Sequence, residues 1–68
     1  MTLEEFRADV LRGIKLLPKC WRHGQKVFNY IEENYGVAGI VQFQDGIDCF
    51  YDDNNADRFL EAAYRHIK

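Results

Sequence analysis

Val37-Ala38-Gly39-Ile40-Val41-Gln42-Phe43-Gln44-Asp45-Gly46-Ile47-Asp48-Cys49-Phe50 is the stretch on which the fold class turns. Read from its right-hand end, Asp45-Gly46 between two apolar runs is a strong local hairpin signal, because glycine supplies the positive φ that a tight two-residue turn needs. Alternation through Gln42, Gln44 and Asp48 agrees with that reading. Read from its left-hand end, Val37, Ile40 and Val41 are spaced by three and four, which places them on one face of a helix. An isolated two-stranded hairpin is marginal in water unless it packs on something larger, and the flanking segments are helical. The expectation is therefore an all-α chain, with a short helix followed by a loop. An α+β fold with a small hairpin around Asp45-Gly46 is the alternative.

The flanks carry clearer signals. Thr2 followed three residues later by Glu5 is a capping box, in which hydroxyl and carboxylate satisfy unpaired backbone donors of a first turn. Leu3, Phe6, Val10, Ile14 and Leu17 then recur at spacings of three and four. Pro18 stops this first helix, since the residue before proline is pushed out of the helical region. A second helix is expected from Trp21 or Arg22 to Asn34, with Trp21, Gly24, Phe28, Ile31 and Tyr35 in one arc and Gly36 as a left-handed C-cap. Gly24 lies within that arc, where a missing side chain lets another element come close. The last helix runs from an Asn55 N-cap to Ile67 and buries Ala56, Phe59, Leu60, Ala63, Tyr64 and Ile67. Residues 1–68 thus read as one compact domain of three main helices plus a short fourth.

Length limits what such a domain can hold. At 68 residues, it buries only about 60% of the surface of its unfolded chain. A composition 47% hydrophobic and 15% aromatic offsets that limit, because each buried aromatic removes roughly 150–250 Å² from water. A net charge of -2 and a charged fraction of 29% imply no bulk electrostatic partner. The first residues have neither the basic start nor the apolar run of a signal peptide, and no segment approaches the ~20 apolar residues of a membrane span. The expected compartment is the cytoplasm, where Cys20 and Cys49 stay reduced and are taken up in packing.

Arg22, Gly24, Gln25, Phe28 and Asn29 spell R-x-G-Q-x-x-F-N, and Asp48, Phe50, Tyr51, Asp52 and Asp53 spell D-x-F-Y-D-D, followed by the pair Phe59-Leu60. Over roughly Trp21 to Leu60 the chain resembles a group of small uncharacterised proteins from bacteria and their phages. Cys49 stands where many members of that group have proline, a departure expected to loosen the turn ahead of the acidic cluster. The resemblance implies a compact single domain and no particular activity.

Sites of known chemistry find little support in the spacing. Cys20-x-x-His23 has metal-ligand spacing, and Cys49 and His66 complete a four-ligand set on paper, but the separation of the halves fits no zinc module. The aspartates after Asp45 do not fall at the alternating positions of a calcium loop, and Asp52 and Asp53 read as helix-capping carboxylates ahead of the last helix. A Cys-His-Asp triad lacks a base placed to activate the thiol. No enzyme activity, cofactor or metal is therefore expected.

Charge is unevenly spread. Arg12, Lys15, Lys19, Arg22 and Lys26 fall in one segment without an acid, and Asp45, Asp48, Asp52, Asp53 and Asp57 fall in another without a base. The simplest reading folds the acidic segment beside the basic one. Gln25 and Asn29, one turn apart beside Arg22, form a polar row expected to bond the irregular segment that ends at Asp53. From these residues comes the candidate interaction surface: Arg22, Gln25, Asn29, Tyr30, Tyr51, Asp52 and Asp53, facing a protein partner. The alternative is weak nucleic-acid binding through the Arg12 to Lys26 segment, with Trp21 and Tyr30 as stacking surfaces. A sequence pI near 5.5 runs against it.

Overall fold

Four helices and no strand make up the computed structural model, which describes residues 1–68. Helix α1 spans Leu3–Ile14, α2 His23–Tyr35, α3 Ala38–Gln44 and α4 Ala56–Ile67, with a 3-10 turn at Asp53–Asn55 leading into α4. The all-α expectation holds, including the short third helix. No helix is long and apolar enough to cross a membrane.

Each boundary has a local cause. The capping box at α1 forms, with Glu5 N–H donating to Thr2 Oγ1 at 3.2 Å and Thr2 N–H to Glu5 Oε1 at 2.7 Å. Its far end falls short of the expectation, since the α-helix stops at Ile14 instead of running on to Leu17. There Lys15, Leu16 and Leu17 donate to Arg12, Gly13 and Ile14, so the chain tightens into i→i+3 bonds ahead of Pro18. Leu17 still packs on the core from this turn. Helix α2 ends at Gly36, whose φ of 70° lets its N–H bond the carbonyls of Ile31 and Glu32.

Asp45-Gly46 makes no hairpin. Gly46 is left-handed at φ 68°, but it follows the last turn of α3, and the Ile47 N–H turns back to the Val41 carbonyl at 3.4 Å. The same positive φ that closes a hairpin also ends a helix, and here it does the second.

The core is one cluster at the meeting of all four helices, built from Phe6, Val10 and Ile14 of α1, Val27 and Ile31 of α2, Ala38 and Val41 of α3, and Ala56, Phe59, Leu60, Ala62 and Ala63 of α4. A radius of gyration of 10.6 Å matches the ~11 Å expected of a folded chain this long. Phe6 meets Tyr35 edge-on at 5.0 Å, and Phe28 lies 5.5 Å from both Phe59 and Phe50. This second cluster ties the segment after α3 to the face of α2.

Candidate functional site

Helix α2 begins without a cap of its own. Its N-cap residue is Arg22, which offers no side-chain acceptor, so the first N–H groups of the helix need a partner from elsewhere. Asp53 supplies it across 29 residues of chain, with Oδ1 accepting the Gly24 N–H at 2.9 Å while Oδ2 faces Arg22 Nε at 3.4 Å. The Gly24 N–H bond, helped by Arg22, holds the Asp53 carboxyl below its ordinary range. The sequence reading gave Asp53 to the start of the last helix; it caps the second instead. Asp52 does take the local role, with Oδ1 accepting the Asn54 N–H at 3.1 Å.

Gly24 is gripped from its other side as well. The buried Cys49 thiol donates to the Gly24 carbonyl at 3.3 Å, and a Cβ at position 24 would overlap the Cys49 carbonyl oxygen. Burial, before any charge effect, pushes the Cys49 thiol up to about 12, so it acts as a packed neutral donor. Cys20 is exposed rather than packed, because it sits in the turn after Pro18.

Between Cys49 and Asp53 the backbone is shaped by Asp48. Its Oδ1 accepts Gln42 Nε2 at 2.9 Å and the Phe50 N–H at 3.2 Å, and its Oδ2 accepts the Tyr51 N–H at 3.1 Å. Asn55 Nδ2 closes the loop onto the Asp48 carbonyl at 2.9 Å. The result presents Tyr51 outward, 78% exposed, with its ring 4.9 Å from Phe50 and Phe50 edge-on to Phe28. An aromatic ladder thus runs from the core to solvent through a loop held by side-chain hydrogen bonds.

The candidate residues divide into two groups. Arg22, Gln25 and Asn29 share one strip of α2, and Arg22 with Asp53 joins that strip to the loop carrying Tyr51 and Asp52. Of the polar row, only Arg22 reaches the loop. Gln25 and Asn29 are half-buried and bond no protein group through their side chains, since Asp48 and Asn55 already bond the loop backbone. Tyr30 faces elsewhere. It lies about 100° round the helix from Asn29, against Gly13 of α1, and its hydroxyl donates to Asp9 at 3.0 Å. Tyr35 donates to the same Asp9 oxygen at 2.6 Å. The Tyr35 bond, then that of Tyr30, lowers the Asp9 carboxyl, while burial ahead of the Asp9 charge lifts Tyr35 to about 12.

Opposite charges meet less than the sequence suggests. The only ion pair between the acidic and basic segments is Arg22 with Asp53; Asp45 lies 2.8 Å from His66, and Asp57 lies 3.1 Å from Arg7. Lys15, Lys19 and Lys26 have no carboxylate at ion-pair distance. Cys20, His23, Cys49 and His66 do not converge, and no three metal-ligating side chains gather anywhere. Comparison with protein-family models, with curated proteins and with solved structures finds no match.

Proposed function

We propose that the chain is a non-enzymatic protein-interaction module whose contact surface is the Tyr51 loop together with the α2 strip of Arg22, Gln25 and Asn29. One observation carries the reading: Tyr51 stands 78% exposed on a loop whose Phe50 and Tyr51 amides are both tied to Asp48. An exposed aromatic in a preformed loop loses little entropy on docking, and tyrosine and arginine are enriched among residues that dominate binding energy. Asp52 and Arg22, both exposed, and the unbonded amides of Gln25 and Asn29 supply the polar rim. Tyr30 drops out of this surface because it faces α1. The proposal extends to a cytoplasmic place of action, and it carries with it the likeness of the two motifs to small bacterial and phage proteins.

The test is a photo-crosslinking amino acid at position 51 of the full chain in cells of its host, with the same group at Arg65 near the far end of α4 as the control. A discrete adduct from position 51, absent from position 65 and lost in Arg22→Ala, is expected. No adduct from position 51, or the same adduct from both positions, overturns the proposal.

A further inference from the structure

We infer that the chain has a second docking surface, a groove between the end of α1 and the face of α2, which takes an acidic peptide segment bearing an apolar side chain. The groove measures about 500 Å³ and is lined by Asp9, Arg12, Gly13, Lys15, Leu16 and Tyr30. Its floor is where Gly13 lets the Tyr30 ring come up against the backbone of α1. At its lip stands Leu16, 88% exposed. Leu16 belongs to the tightened turn before Pro18, whose i→i+3 bonds fix where it points. A leucine so exposed beside an aromatic floor is a surface that gains by being covered.

Charge selects what covers it. The one acid in the lining is already satisfied, since Asp9 accepts both tyrosine hydroxyls and faces Arg12 at 3.6 Å. Lys15 has no carboxylate partner. This face is positive on a chain whose net charge is -2, so a carboxylate-bearing occupant is drawn to it and a basic one repelled. A peptide fits better than a nucleic acid, because the lip is aliphatic and the Tyr30 hydroxyl is engaged. A membrane surface requires a broad apolar face, and this one has a single protruding leucine.

The experiment is amide and aromatic NMR on the isotope-labelled full chain, titrated with acetyl-Glu-Leu-Glu-Glu-Phe-Glu-amide. The same peptide with lysine for glutamate, an oligothymidylate and phosphatidylglycerol vesicles are the other arms. Shifts at Gly13, Leu16 and the Tyr30 ring are expected with the acidic peptide alone and should weaken as salt rises. Leu16→Ser should reduce the affinity about tenfold, as loss of one buried leucine does, and Lys15→Glu should reduce it further. Both positions are exposed, so both variants keep the fold. Shifts centred elsewhere, an equal response to the lysine peptide, or binding to the oligonucleotide or vesicles in place of the peptide overturns the inference.

Discussion

Replacing Gly24 by alanine reverses the usual sign of that substitution. Inside an exposed helix the change gains about 1 kcal/mol from helix propensity. At position 24 the new methyl falls on the Cys49 carbonyl oxygen, a backbone atom that no rotamer change removes. Either α2 or the Cys49–Phe50 backbone has to shift, and with it a fully buried thiol and the Phe28–Phe50 contact. Overpacking of this kind costs about 3 kcal/mol, the upper part of its usual range. Less the helix gain, the net loss is about 2 kcal/mol, a large share of a small domain's stability. With a urea dependence of about 1 kcal/mol per molar, the midpoint falls by roughly 2 M. Gly39 of α3 is the control, because a methyl there meets nothing within 4 Å. Gly39→Ala should raise the midpoint, by up to about 1 kcal/mol of stability. Urea unfolding followed by far-UV circular dichroism compares the two directly. A Gly24→Ala protein as stable as its parent would refute the close approach.

Other consequences are chemical. The Asp53 carboxyl is depressed by the Gly24 N–H bond, so its contribution is present above the ordinary carboxylate value and is lost as pH falls through its folded value. Asp53→Asn should flatten the acid limb of stability against pH, and an unchanged limb contradicts the cap. Tyr35, lifted to about 12, contributes stability that is full below about 10 and lost as pH rises through its folded value. Ultraviolet titration should show it ionising last among the tyrosines, and earlier in Asp9→Asn. A thiol reagent under native conditions should label Cys20 and leave Cys49 unmodified until urea is added; prompt labelling of both contradicts the burial of Cys49. Gln25→Ala should change stability by less than about 0.5 kcal/mol, since its amide bonds nothing in the protein.

Signals that act within a turn or two were legible in the sequence. The Thr2–Glu5 box, the Gly36 stop, the α4 stripe from Ala56 to Ala63 and the notch at Gly24 all rest on local geometry and stand in the fold, whereas Tyr64 and Ile67 at the end of that stripe are only half-buried and Asn55 holds the N-cap position without a side-chain cap bond. Asp45-Gly46 was ambiguous for a physical reason, because one left-handed glycine serves two kinds of turn. Long-range partners were harder. The polar row beside Arg22 pointed to the right loop, but Gly24 and Arg22 meet it, while Gln25 and Asn29 do not. One sign of the Asp53 cap was present: Arg22 precedes a helix whose first N–H groups have no local acceptor, and such a helix must borrow one. Tyr30 was placed with the wrong neighbours because its attraction to Asp9 and Gly13 depends on how α1 lies against α2.

The proposed interaction surface depends on a Tyr51 loop that is rigid before any partner arrives. Nitrogen-15 relaxation of the free full-length chain measures that rigidity at the Phe50 and Tyr51 amides, the two donors that Asp48 holds. Order parameters near ~0.85, equal to those of the helices and lowered in Asp48→Ala, are expected. Values below ~0.6 in the parent chain, unchanged by Asp48→Ala, contradict a preformed surface.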